Sequence, residues 1–173
     1  MNISDDILML RALEPTDLDV LYRWENDVDL WHTSATITPF SRKQLWDYIE
    51  NYDGDIFRTR QLRLMIEDVA SKIVIGTIDL YDFDPVNSRA NVGILIDKAY
   101  QGLGYGAKAL SLLEDYCREF IQLHQLVAII AINNEKSINL FSSLNYLQTG
   151  ILLDWLNVNG DFCDAHIYQK IIK

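Results

Sequence analysis

A chain of 173 residues with 49% hydrophobic side chains can bury one full core, and a single domain over residues 1–173 is expected. Its formal net charge of -10 argues against a nucleic-acid partner, whose phosphates need Lys and Arg. There is no apolar run of roughly 18 residues and no signal segment, so a cytoplasmic protein without membrane partners is expected.

The predicted elements begin with a strand over residues 7–13. Glu14-Pro15-Thr16-Asp17 then opens a helix, with Pro in the first turn and acids near the positive end of the dipole. Leu18, Leu21, Tyr22 and Glu25 follow at helical spacing. Residues 27–40 are less regular and hold Trp31, His32 and Pro39. Ser41-Arg42-Lys43-Gln44 is a capping box that starts a second helix running to residue 52. Residues 61–68 and 73–82 read as a hairpin, Asp84-Pro85-Val86-Asn87 as a turn, and residues 90–96 as the next strand. A helix over residues 104–120 places Leu110, Leu113, Tyr116, Cys117 and Phe120 on one face. A continuous apolar strand (126–132), a short helix (135–144) and a hairpin around Asn159-Gly160 complete the chain. This order makes a mixed α/β (α+β) fold with an antiparallel front half, about seven strands and about four helices. The two cysteines, Cys117 and Cys163, lack metal-ligand spacing, and His32, His124 and His166 are scattered, so no metal is expected.

The most informative stretch is Gln101-Gly102-Leu103-Gly104-Tyr105-Gly106-Ala107, set between a strand and a helix N-terminus. Glycines allow positive φ and close backbone approach, and free N–H groups at a helix start suit a pyrophosphate. The stretch also satisfies G-x-G-x-x-G/A, the dinucleotide fingerprint. Three details oppose that reading. Asp97 to Tyr100 separate the glycines from the strand, no acid ends the next strand at Ile132-Asn133, and three antiparallel strands precede the motif.

Gln101-x-x-Gly104-x-Gly106, together with Asn134-Glu135-Lys136-Ser137-Ile138-Asn139-Leu140-Phe141 and the following Asn145-Tyr146, resembles the GCN5-related N-acetyltransferase superfamily. The resemblance covers nearly the whole chain. Its Leu10-Arg11-x-Leu13-x-Pro15-x-Asp17-Leu18 phrase is most similar to the branch of spermidine and ribosomal-protein N-terminal acetyltransferases. The resemblance implies that the amides of Gln101, Gly102, Leu103, Gly104, Tyr105, Gly106 and Ala107 hold the pyrophosphate of acetyl-CoA. It implies that Gly93, Ile94, Leu95 and Ile96, on a splayed strand, face the pantetheine arm and the thioester, with Gly93 or Ile94 stabilising the oxyanion. Gly93 reads equally well as a packing glycine. Asn134 matches the residue that touches the arm and can equally be a helix N-cap.

Phe141 stands where relatives often carry a Tyr that protonates the departing thiolate. Phe141 is therefore expected to do no more than pack against the arm, since a thiol with a pKa of about 8.5 leaves without obligatory protonation. Asn91 replaces a frequent Glu and cannot be a base. Asp79 and Tyr81, sharing one strand face by period two, are the candidates to help remove a proton, with a structural carboxylate as the alternative for Asp79. Glu25, Asp29 and Trp31 are candidate cation binders, or else a solvated helix end; Asn91 and Trp155 are further acceptor-side candidates. Residues 33–41 carry no acid, which departs from spermidine acetyltransferases. The expected activity is direct acetyl transfer from acetyl-CoA to a small-molecule amine (a diamine or polyamine) or a protein N-terminal amine, by a chain compatible with homo-oligomers. A CoA-binding module without catalysis is the alternative.

Overall fold

The computed structural model describes residues 3–31, 38–158 and 160–172, with Trp31 described by its backbone alone. The elements in chain order are β1 (Ile3–Ser4), β2 (Leu8–Arg11), α1 (Leu18–Glu25), α2 (Val28–Trp31), α3 (Arg42–Glu50), α4 (Ile56–Thr59), β3 (Leu62–Asp68) and β4 (Val74–Asp84). They continue with β5 (Arg89–Ile96), α5 (Tyr105–Tyr116), β6 (Gln125–Ala131), α6 (Glu135–Ser143), β7 (Leu147–Val158) and β8 (Asp161–Ile171). Beyond the expected count lie the two-residue β1 and the one-turn helices α2 and α4, all too short to leave a periodic signal.

Local chemistry sets several boundaries as read from the sequence. Ser41 Oγ accepts from Gln44 N–H at 3.2 Å while Gln44 Oε1 accepts from Ser41 N–H at 2.8 Å. Pro15 opens the first helical turn behind Glu14. Asp84 accepts from the Val86 and Asn87 N–H groups, closing the turn between β4 and β5. Asn145, at φ 64, takes the left-handed position after α6, a conformation Asn tolerates.

One eight-stranded sheet runs in the order β1-β2-β3-β4-β5-β6-β8-β7. Every neighbouring pair is antiparallel except β5 and β6. The larger core lies between the sheet and α5–α6, where Leu110, Leu113 and Cys117 pack on Ile78, Leu80, Val92, Leu126 and Ala128. A smaller cluster on the opposite face joins Leu21 and Trp24 of α1, Ile49 of α3 and Met65 of β3. One expectation changes here. Phe120 is 54% exposed, because the last turn after α5 widens to π geometry over Cys117–Ile121 and rotates it off the apolar stripe. Asp17 sits in the first turn, as the sequence predicts, and is also buried. It is 2% exposed and holds Arg11 through two 2.8 Å bonds, while Arg11 Nε donates to Glu67 at 2.6 Å.

Candidate active site

The pairing of β5 with β6 covers only Arg89–Gln125, Ala90–Leu126 and Asn91–Val127. Beyond Asn91 the parallel ladder stops while β5 continues to Ile96, leaving a gap between the two strands. On its other edge β5 stays paired with β4 as far as Gly76–Ile96. Asp97 N–H donates to Ile75 O at 2.8 Å, which fixes the alternation of hydrogen-bonding directions along β5. Leu95 and Gly93 therefore aim their backbone groups at β4, and Ile94 and Ile96 aim theirs at the gap. The expectation for Gly93 and Leu95 is corrected accordingly: period-two alternation turns their N–H groups away from the gap. Gly93 packs beside Tyr81. A Cβ there would stand 3.7 Å from Cε1 of Tyr81, an ordinary packing contact, so Gly93 lies directly against that ring.

The glycine stretch follows at the mouth of the gap. Gly102 and Gly104 have φ of 77 and 83, and nothing lies within 4 Å of where their Cβ atoms would be. Gly104 is the N-cap of α5, so the first N–H groups of a 12-residue helix open onto bare backbone. Leu103 is exposed, and Tyr105 sets its ring edge-on to Tyr100. Gly106 differs from the other two. Its Cβ would meet Leu140 at 3.3 Å and Ile96 at 3.8 Å, so it lets α5 approach α6 instead of leaving space for a ligand. Gln101 braces the loop through its side chain: Nε2 donates to Ile96 O at 2.9 Å, and Oε1 accepts from Lys136 Nζ at 2.9 Å. Lys136, which the sequence reading passed over, sits in the first turn of α6 and brings a cation to this mouth. Asn134 is the N-cap of α6, its side chain accepting from Ser137 N–H at 3.1 Å. Phe141 is corrected: it is 3% exposed and packs edge-on against Tyr146 at 4.9 Å inside the core, where it cannot line the gap.

On the other face of the β4–β5 pair lies a pocket of about 210 Å³, lined among others by Tyr48, Tyr52, Arg63, Asp79 and Tyr81. Arg63 on β3 sits opposite Asp79 on β4. Its Nε and Nη2 donate to the two Asp79 oxygens at 2.8 and 3.2 Å, and Nη1 donates to Glu25 at 3.2 Å. Its guanidinium also lies 5.9 Å from the Tyr48 ring centre. Asp79 is thus not a free base, because both its oxygens serve a guanidinium. Burial, with Asp82 and Asp79 nearby, raises the Tyr81 phenol above its usual range, so Tyr81 is a hydrogen-bond donor at neutral pH. The remaining acceptor-side candidates disperse. Asp29 bonds Lys98 at 2.8 Å, Asn91 donates to Asp82 at 3.0 Å, and Trp155 is 55% exposed on β7. The side chain of Trp31, and His32 with residues 33–37, lie outside the described residues. Among the described residues no cluster of His, Cys, Asp or Glu could hold a metal, and no helix is long and apolar enough to cross a membrane.

Gly93 pairs in register with Asp79, which lines the pocket, and precedes Ile94, whose backbone faces the gap. A strand gap ending in a glycine loop at a helix N-terminus, next to an acceptor pocket, defines an acyltransferase that works on a CoA thioester. The open cradle at Gly102 and Gly104 fits the pyrophosphate of such a cofactor. Residues 8–146 match the family model described as acetyltransferase (GNAT) domain, and the chain belongs to that family. It is an acetyl-CoA-dependent N-acetyltransferase. It is 26% identical to the spermidine N(1)-acetyltransferase of Vibrio cholerae over 91% of this chain and 89% of that one. A crystal structure of spermidine N-acetyltransferase from Vibrio cholerae in complex with CoA and spermine superposes with a TM-score of 0.84, at 24% identity, covering 96% of both chains. A dodecameric structure of the enzyme from that organism superposes at 0.79, again at 24% identity, covering 97% of this chain and 95% of that one.

Proposed function

We propose that the acceptor is the terminal primary amine of a small diamine or polyamine, acetylated in the cytoplasm without a covalent enzyme intermediate. The observation that carries this reading is a Tyr-walled pocket whose Asp79 pairs in register with Gly93, one residue before the amide of Ile94 that faces the strand gap. A linear alkylammonium fits about 210 Å³, and the Asp79 carboxylate lines the pocket beside Arg63, which also donates to Glu25. The names of the relatives support the same substrate class.

Acetyl-CoA supplies the activated acyl group. The chain's own groups hold and polarise it. The α5 N-terminus, the bare loop at Gly102 and Gly104, and Lys136 offer positive potential to the pyrophosphate in an otherwise acidic protein. The Ile94 N–H, turned into the gap, is the donor for the thioester carbonyl oxygen. The amine nitrogen bonds to the carbonyl carbon, the carbon–sulfur bond breaks, and the thiolate departs. The ammonium, with a pKa of roughly 10, must first lose a proton. Since Arg63 engages Asp79, that proton passes to water, and the second proton, which the nitrogen sheds once it is acylated, passes through water to the departing thiolate. Tyr81 stays protonated and offers its hydroxyl as a hydrogen-bond donor on the pocket wall without giving up the proton. The exposed apolar side chains of β7 (Leu147, Ile151, Leu153 and Trp155) fit self-association of this chain.

The test is release of free CoA thiol with a panel of monoamines, diamines, polyamines and peptides. Turnover with diamines and polyamines is expected. Thiol release with peptides alone would make a protein N-terminus the acceptor, and release with none would overturn the acceptor reading.

A further inference from the structure

The acceptor pocket is built where a strand runs out. β2 pairs with β3 from Leu8–Asp68 to Arg11–Met65 and then ends, while β3 runs on through Leu64 and Arg63 to Leu62, paired there with β4 alone. By register the residue that would face Arg63 is Leu13, which lies past the end of β2. Ile75 gives its carbonyl to Asp97, so period-two alternation directs the main-chain groups of Asp79 to β5 and not to β3. Arg63, opposite Asp79, accordingly turns its own N–H and C=O to the edge that β2 leaves open. An unpartnered main-chain donor and acceptor in a half-buried strand would be costly.

One side chain serves both groups. The Tyr52 hydroxyl accepts from the Arg63 N–H and donates to the Arg63 carbonyl at 3.4 Å. A phenol carries one hydrogen and free lone pairs, so a single hydroxyl can do both. Burial raises the Tyr52 phenol above its usual range, and the hydrogen stays in place at neutral pH. Tyr52 follows the end of α3, where its N–H donates to Ile49 O at 3.2 Å, and Ile49 is fixed in the smaller core with Leu21, Trp24 and Met65. One turn earlier, Tyr48 sets its ring edge-on to Tyr52 at 5.7 Å. The pocket thus has two walls, Tyr48 and Tyr52 after one another on α3 and its end, and Arg63, Asp79 and Tyr81 on the sheet. The Tyr52 hydroxyl ties the first wall to the main chain of the second. Arg63, held there, in turn holds both Asp79 oxygens.

Building on the acceptor proposed above, we infer that Tyr52 is a positioning residue for the acceptor amine: its hydroxyl takes the place of the missing stretch of β2 at Arg63 and sets the α3 wall of the pocket against the β3–β4 wall. The cofactor gap lies beyond β5, on the other side of β4, so the tie bears on the amine and leaves acetyl-CoA binding alone.

The experiment uses Tyr52→Phe, which keeps the ring and removes the hydroxyl. Beside it stands Ser41→Ala, which removes the N-cap of the same helix and leaves the tie in place. The readouts are hydrogen exchange of the Arg63 amide by NMR, Tm, and the KM values for 1,4-diaminobutane and acetyl-CoA. In the wild type the Arg63 amide should be protected although no strand lies opposite it. Tyr52→Phe should speed its exchange about tenfold and raise the diamine KM by about five- to tenfold, the effect of one lost hydrogen bond. The acetyl-CoA KM should change less than about twofold. Ser41→Ala should lower Tm, with the diamine KM changed less than about twofold. A folded Tyr52→Phe enzyme with the wild-type diamine KM would overturn the inference. An equal rise of that KM in Ser41→Ala would overturn it too, because loosening of α3 would then be the cause. If Tyr52→Phe does not fold, the wild-type Arg63 amide decides, protection supporting the tie and unprotected exchange overturning it. A wild type inert toward every amine would refute the proposed acceptor class and this inference with it, a result distinct from turnover with an unchanged KM.

Discussion

The glycines at 104 and 106 are two positions apart, yet the structure assigns them different work, and substitution separates the two roles. Gly104 has φ of 83 with open space around its missing Cβ. Gly104→Ala therefore creates no clash and costs about 1–2 kcal/mol of left-handed strain. For a chain of this size, that lowers Tm by roughly 2–8 °C. The methyl group, however, stands where the pyrophosphate approaches the α5 N-terminus. Relief of the strain would also turn the first N–H groups out of line. CoA affinity should fall at least about thirtyfold, near 2 kcal/mol. Gly106→Ala points its methyl at Leu140, 3.3 Å away, and at Ile96, 3.8 Å away. Leu140 Cδ atoms can shift by a few tenths of an ångström, so Gly106→Ala should lower stability by about 1 kcal/mol at most. Its CoA affinity should change less than about threefold. Gly106→Val adds branches that Leu140 cannot avoid and should cost about 1–3 kcal/mol of stability. Isothermal titration with CoA, run beside thermal melts of each variant, measures both quantities. A folded Gly104→Ala protein with wild-type CoA affinity would refute the placement of the pyrophosphate. A Gly106→Ala protein that loses CoA binding with unchanged Tm would show that this glycine, too, faces the ligand.

Asp17→Ala leaves Arg11 with Glu67 alone in a largely buried site and should destabilise the fold by about 3 kcal/mol, measured by urea unfolding, with little change in acetyl-CoA KM. A loss below about 0.5 kcal/mol would show that the pair is solvated in solution. Cys117 is fully buried, and burial with Glu114 nearby pushes its thiol well up, whereas Cys163 is half-buried. Ellman's reagent should thus modify one thiol in the native protein and two in denaturant. Burial alone would raise the Asp97 carboxyl, but donation from Trp24 Nε1–H and Ala99 N–H and the charge of Arg23 hold it below its usual range. Its contribution to stability is complete above the unfolded value of about 3.9 and is lost as pH falls through the lower folded value. Asp97→Asn should accordingly lower Tm near neutrality and flatten the acid limb below about pH 4; an unchanged slope there would remove Asp97 from the linkage.

Local chemistry was legible in the order of residues because it acts over a few positions. The Ser41 capping box, Pro15 at a helix start, the turn at Asp84 to Asn87 and the positive φ at Gly102, Gly104 and Asn145 each depend on neighbours within one turn of chain. The glycine loop before α5 and the element order were readable for the same reason, and they carried the family resemblance. Register and burial were not readable, because they depend on which strand lies opposite which. Gly93 has its N–H aimed at β4, and Ile94 has its own aimed at the gap, only because Asp97 pairs with Ile75. Phe141 matched a ligand-lining position by motif, yet the rotation of α6 against Tyr146 buries it. Arg63, placed between Leu62 and Leu64, gave no sign of its ties until the β3–β4 register set it opposite Asp79 and the end of α1 brought Glu25 to its other side. The sequence alone determined the fold class, the cofactor loop and the helix caps, whose interactions are short-range along the chain. The tertiary structure alone decided which carboxylates are engaged and which amides open on the gap, because those depend on groups that only folding brings together.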